Sequence, residues 1–102
     1  MNNVNIIGQI EGDATVAFAS EDGAKKLYKF LLRVPRTYKK KNGELAEDLI
    51  NIKCWSNSVD DEFSLHDQAF IGIEGRIQSF GNSEHSNYAN EVLATKVVYL
   101  NW

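Results

Sequence analysis

Val4, Ile6, Gly8 and Ile10 alternate with Asn3, Asn5, Ile7 and Gln9, the period-two signature of a strand with one buried face. A first strand therefore runs near Asn3 to Ile10. After a polar break at Glu11-Gly12-Asp13, Thr15 to Ala19 continues it, and Ser20-Glu21-Asp22-Gly23 supplies a turn in which glycine takes positive φ freely. From Lys26 to Val34, Tyr28, Phe30, Leu32 and Val34 turn inward while Lys29, Leu31 and Arg33 face the other way. Pro35, the only proline, is expected to weaken or end this second strand. Thr37 to Ala46, with Lys39-Lys40-Lys41-Asn42-Gly43 inside it, reads as a long flexible hairpin tip. A third strand from Glu47 to Ser56 carries Ile50, Ile52 and Cys54 on one face and Leu49, Asn51, Lys53 and Trp55 on the other.

Ser56 or Ser58 can cap a short helix reaching about His66, with Asp60, Asp61 and Glu62 near its positive end and Val59 and Phe63 on one face. Ala69 to Phe80 forms a fourth strand, with Ile71, Ile73 and Ile77 inward and Arg76, Gln78 and Phe80 outward. Gly72 and Gly75 allow the bend or close approach that a small barrel needs. Gly81 to Asn87 is a polar loop, and Tyr88 to Leu100 a fifth strand. An all-β fold follows: five strands in a small closed barrel of the OB type, with one short helix between strands three and four. Periodicity alone also allows an SH3-like barrel.

The 102 residues fit one domain, 1–102, without internal repeat or linker. A hydrophobic share of 43% and a charged share of 25% exclude disordered and collagen-like classes. No apolar run approaches the roughly 18 residues of a membrane-spanning helix, so the expected location is cytoplasmic, with no membrane partner. The single cysteine and the absence of metal-ligand spacings leave no cofactor or metal expected.

Charge alters this picture. The net value of -3 hides a block from Lys25 to Lys41 that holds eight of the 11 basic residues and no acid, so that the remainder of the chain stands at -11. A positive surface on an acidic body suits a polyanion, because each neutralised phosphate releases condensed counterions. Binding a single strand also needs rings on which bases stack. Lys29 and Arg33 share the outward parity of strand two, Asn51, Lys53 and Trp55 that of strand three, and Arg76, Gln78 and Phe80 that of strand four. Arg36, Tyr38, Lys39, Lys40 and Lys41 add a ring and four charges at the hairpin. Tyr28, Phe30, Phe63 and Phe70 are read as core, and Tyr99 and Trp102 as packing against the barrel or a neighbouring subunit. These features together point to single-stranded DNA.

The sequence resembles the bacterial single-stranded DNA-binding protein family over nearly its whole length. The resemblance rests on Met1-Asn2-Asn3-Val4 with Gly8, on Lys29-Phe30-Leu31-Leu32-Arg33-Val34 with Arg36, and on Asp48-Leu49-Ile50-Asn51-Ile52-Lys53-Cys54-Trp55. It continues through Gly72-Ile73-Glu74-Gly75-Arg76-Ile77-Gln78 and Asn90-Glu91-Val92-Leu93-Ala94. It implies an OB fold, assembly as a homotetramer with a dimer as the alternative, and protection of single-stranded DNA in replication, repair and recombination. It also implies base stacking at Trp55, Tyr38 and Phe80, with Leu49 standing where many members have an aromatic. The family's glycine-rich linker and acidic tip, which recruit replication proteins, have no counterpart before the chain ends at Trp102. A core piece and a short relative such as the dimeric primosomal replication protein both fit that ending.

Two other function classes compete. A primosomal or replication-restart adaptor would act mainly through protein contacts. An enzyme would need Cys54, His66 or His85 as nucleophile or base, but Cys54 has inward parity, the histidines stand alone, and no hydrolase or nucleotide-binding motif is present. The expectation is a binding protein without catalysis.

Overall fold

The computed structural model describes residues 1–82 and 87–100. His85, Trp102 and part of the polar loop expected at Gly81 to Asn87 lie outside the described residues. Five strands, β1 (Val4–Ala19), β2 (Lys26–Lys39), β3 (Leu45–Trp55), β4 (Phe70–Asn82) and β5 (Asn87–Tyr99), close into a barrel in the order β1-β2-β3-β5-β4. This is the all-β OB-type barrel that the alternation predicts.

β1 serves two neighbours. Its first half pairs with β4 from Val4↔Gly75 to Gln9↔Phe70, and its second half with β2 from Gln9↔Arg33 to Ala19↔Lys26. The Glu11-Gly12-Asp13 segment is no break but an irregularity inside one strand, where the β1–β2 register shifts between Glu11 and Thr15 and Gly12 adopts φ +78°. Extra residues on one strand bend it and increase its twist, which lets one strand reach both edges. The Ser20–Gly23 turn forms as expected, with Gly23 at φ +72° and the Asp22 carboxylate accepting from the Ser20 hydroxyl and the Ala24 N–H.

Closure comes from three parallel pairs between β3 and β5: Ile52↔Val92, Lys53↔Leu93 and Cys54↔Ala94. Inside, Ile10, Leu32, Ile52, Cys54 and Ile71 are fully buried, with Tyr28, Phe30, Ile73, Val92, Ala94 and Val97 around them. At roughly 1.5–3 kcal/mol for each large apolar side chain taken out of water, this set supplies the main drive for folding.

Several local expectations change. The short helix expected between β3 and β4 is two 3-10 turns, Ser56–Ser58 and Glu62–Ser64, because Val59 between them is extended and bridges to Val97. Val59 is thereby buried, while Phe63, expected on the same face, is 89% exposed. Phe70, also read as core, is half-exposed because its partner Gln9 faces outward with it. Ile77 keeps inward parity but is 49% exposed, since it lies at an open end of the barrel beside Val4, Ile6 and Ile50. Pro35 does not end β2; it pairs with Glu47, and the ribbon runs on to Lys39↔Leu45. Beyond Arg33 only β3 flanks β2, and on such an open edge a missing N–H is tolerated. The hairpin tip is correspondingly short, closed by Lys40 N–H donating to Glu44 O at 2.7 Å and by Gly43 N–H donating to Lys40 O at 3.0 Å.

Gly75 marks the tightest approach. A Cβ there would stand 2.3 Å from the Leu93 carbonyl oxygen, beside the β4–β5 register shift. Gly75→Ala is therefore expected to destabilise the barrel by about 1–3 kcal/mol, the usual range for overpacking, in urea unfolding. An unchanged midpoint would mean that the strands can part there at no cost.

Candidate nucleic-acid interface

Directly paired residues in a sheet share a face, so register converts parity into position. Lys29 pairs with Lys53 across β2–β3, Lys53 with Leu93 across β3–β5, and Leu93 with Arg76 across β5–β4. Three predicted cations thus lie in one row around the outside of the barrel, at about 4.8 Å per strand. On one side run Glu11, Leu31 and Asn51, followed by Gln9, Arg33 and Leu49; on the other run Phe18, Leu27 and Trp55. Further along β4 and β5, Gln78 pairs with Glu91 and Phe80 with Ala89. Lys29, Arg33, Asn51, Lys53, Trp55, Arg76, Gln78 and Phe80 are brought to this outer surface. Arg36, Tyr38, Lys39, Lys40 and Lys41 instead belong to the β2–β3 ribbon that projects past the end of the β1–β2 pairing.

The basic block is partly neutralised by acids from elsewhere in the chain. Arg33 is paired with Glu11 and lies 3.6 Å from Glu47. Arg36 donates through Nε and Nη2 to Asp48 at 3.0 and 2.6 Å, and through Nη1 to the Tyr38 hydroxyl at 2.6 Å. These bonds hold the Asp48 carboxyl below the usual carboxylate range and raise the guanidinium of Arg36. Lys53 meets Glu91 at 3.0 Å. Among the described residues, no carboxylate lies within ion-pair distance of Lys29, Lys39, Lys40, Lys41 or Arg76. Within the described residues these five cations have no ion-pair partner. The Arg36–Asp48 pair is exposed and screened by water, so it contributes little and an arriving phosphate can compete with it.

Each predicted ring is flanked by a cation. The Lys25 ammonium stands 5.9 Å from the Trp55 ring centre, the Arg36 guanidinium 5.9 Å from Tyr38 and the Lys53 ammonium 5.2 Å from Phe80. Such contacts support a ring that is only partly buried. Phe18, which the sequence did not single out, meets Trp55 edge-on at 5.9 Å and 83°. The β1–β2 register shift between Val16 and Phe18 turns it outward, a shift that simple alternation cannot reveal. Glu91 was also missed: its parity is outward, yet it is buried. Tyr99 is exposed and lies 6.2 Å from the His66 ring.

The candidate nucleophile is poorly placed for catalysis. Cys54 is fully buried, and burial together with the Glu62 charge pushes its thiol up to about 12. The exposed His66 donates through Nδ1 to the Asp67 carbonyl oxygen, 2.8 Å away.

No family model matches the chain. The single-stranded DNA-binding protein of Streptococcus pneumoniae is 33% identical over 98 residues, covering 92% of this chain and 62% of that protein. Single-stranded DNA-binding protein B of Bacillus subtilis is 31% identical over 104 residues, covering 97% of this chain and 89% of that one. The chain belongs to the bacterial single-stranded DNA-binding protein family. It spans about 62% of the length of the pneumococcal relative. Among solved structures, the dimeric N-terminal domain of PriB from Thermoanaerobacter tencongensis matches with a TM-score of 0.72 at 21% identity, over 99% of this chain and 98% of that one. A deletion mutant of the Thermus aquaticus single-stranded DNA-binding protein matches with a TM-score of 0.69 at 15% identity, over 99% and 51%. Both share the fold of this family member.

Two buried protons make stability depend on alkaline pH. Tyr28, donating to Glu62, is raised from 10.0 to about 12, and Cys54 from 9.0 to about 12. The unfolded chain releases these protons first, so their contribution is complete below about pH 9 and is lost as pH rises towards 12. The urea midpoint is expected to fall across that window, and native Cys54 to resist iodoacetamide at pH 8. Rapid alkylation of the folded protein would contradict the burial of the thiol.

Proposed function

We propose that this chain binds single-stranded DNA with little sequence preference and shields it during replication, repair and recombination, as a non-enzymatic protein of the cytoplasm. The observation that carries the reading is the outer row from Lys29 to Arg76 with Trp55 and Phe80 on the same surface. Lys29 and Arg76 hold phosphates, Trp55 and Phe80 offer π-faces to successive bases, and Asn51 and Gln78 supply neutral polar contacts. Tyr38 with Lys39, Lys40 and Lys41 extends the track along the projecting ribbon, where Arg36 exchanges Asp48 for phosphate. The names of the relatives support the ligand.

The reading includes a second copy of the chain. On β1, β4 and β5, away from the cation row, Ile7, Gly72 and Val98 form an apolar row, and both Ile7 and Leu100 border the space above Gly72. Ile7 is 67% exposed and Val98 43%. A strip of this kind on paired strands suits burial against another protomer, giving a dimer that pairs further into a tetramer. Ile7→Glu is expected to lower the mass measured by light scattering, whereas an unchanged assembly would place the interface elsewhere.

Fluorescence anisotropy with labelled oligo-dT and a matching duplex tests the main reading. Tight, salt-sensitive binding that prefers the single strand is expected, and equal or weak binding to both would refute it. Trp55→Ala should weaken binding by about 1–3 kcal/mol without unfolding the barrel. Replacing Lys39, Lys40 and Lys41 by alanine should flatten the salt slope by at most about 2, at roughly 0.7 per phosphate contact. Loss of folding in the first variant, or an unchanged slope in the second, would remove that residue set from the site.

A further inference from the structure

Glu91 is the one acidic or basic residue among the described residues that is buried, at 3% exposure. It occupies an outward position on β5, so the barrel core does not explain its burial; its neighbours on the outer surface do. Glu91 Oε1 accepts from the Gln78 side-chain amide at 2.8 Å, and Oε2 meets the Lys53 ammonium at 3.0 Å. Lys53 is itself largely covered, and its ammonium stands 5.2 Å from the Phe80 ring centre. One carboxylate therefore ties together three residues of the proposed surface, taken from β3 and β4. A carboxylate shielded from water cannot recover its hydration if its cation leaves, so this pair resists exchange far more than the exposed Arg36–Asp48 pair does.

We infer that Glu91 is a positioning residue that withholds Lys53 from the phosphates of a bound strand and holds its ammonium against Phe80. Phe80, further along β4, then works as an aromatic platform with Lys53 against it, and Lys29 and Arg76, which have no ion-pair partner among the described residues, hold phosphate at the two ends of the row. The pairing also relieves the repulsion between Lys29 and Lys53, which are directly opposite one another. This inference rests on the proposed binding of single-stranded DNA, and it concerns which cations contribute.

The test is the salt dependence of oligo-dT binding by the wild type, Glu91→Gln and the double variant Glu91→Gln/Lys53→Gln. Glutamine at 91 keeps an acceptor for Gln78 and removes the charge, so the slope should steepen by about 0.7 as Lys53 becomes available to phosphate. The double variant should return to the wild-type slope. An unchanged or shallower slope in Glu91→Gln, beside salt-dependent binding by the wild type, would overturn the inference and leave the binding function intact. A steeper slope that survives in the double variant would also overturn it. Absence of wild-type binding would remove the function and this inference together. Should Glu91→Gln fail to fold, ammonium NMR of the wild type decides: the Lys53 signal should stay in place on saturation with oligo-dT while that of Lys29 shifts. A Lys53 shift as large as that of Lys29 would contradict the withheld charge.

Discussion

The structure depends on the parallel contact between β3 and β5. Among the described residues three pairs make it, and without them the five strands would be an open sheet with two unpaired edges. The same three pairs act on both sides of the wall. Inward, they bring Ile52 and Cys54 against Val92 and Ala94 in the core; outward, they set Lys53 beside Leu93 and so join Lys29 on β2 to Arg76 on β4. The closure that completes the core also makes the candidate surface continuous. Gly75 belongs to the same arrangement, because only the lack of a Cβ lets β4 approach the Leu93 carbonyl.

Folding also redistributes charge. The sequence concentrates eight cations in one block, but three cations of the candidate surface meet acids from distant segments: Arg33 with Glu11 and Glu47, Arg36 with Asp48, and Lys53 with Glu91. These pairs differ in kind. Arg36–Asp48 is open to water and can exchange, whereas Glu91 is sealed beneath Lys53 and Gln78. Among the described residues, the candidate-surface cations without an ion pair stand at the ends of the row and along the hairpin, a distribution suited to a flexible polyanion that passes over aromatic rings rather than to one compact anion.

Alternation revealed the strands and, for most residues, the face. Tyr28, Phe30, Leu32, Ile52 and Cys54 are inside, and Lys29, Lys53, Trp55, Arg76 and Phe80 are outside, because the two-residue period of a strand is set by backbone geometry alone. Alternation carries no information about which strands become neighbours or how far along the barrel a residue lies. Ile77 therefore had the right face but an exposed place at the rim, and Phe18 was turned outward by an irregularity invisible in the pattern. Helical spacing between Val59 and Phe63 was outweighed by a single bridge from Val59 to Val97, a contact between residues far apart in sequence. The burial of Glu91 is invisible to alternation for the same reason, since it depends on side chains from β3 and β4. The candidate residues were legible in kind, while their pairing and neutralisation required the register.

In the proposed binding mode a single strand lies across the outer face of β2, β3, β5 and β4. Photo-crosslinking of the intact protein to oligo-dT carrying bromouracil, followed by peptide mapping, addresses it directly. Adducts are expected at Trp55, Phe80 and Tyr38. Adducts confined to exposed Phe63 or to the Ile7 and Val98 strip, with none along the cation row, would contradict it.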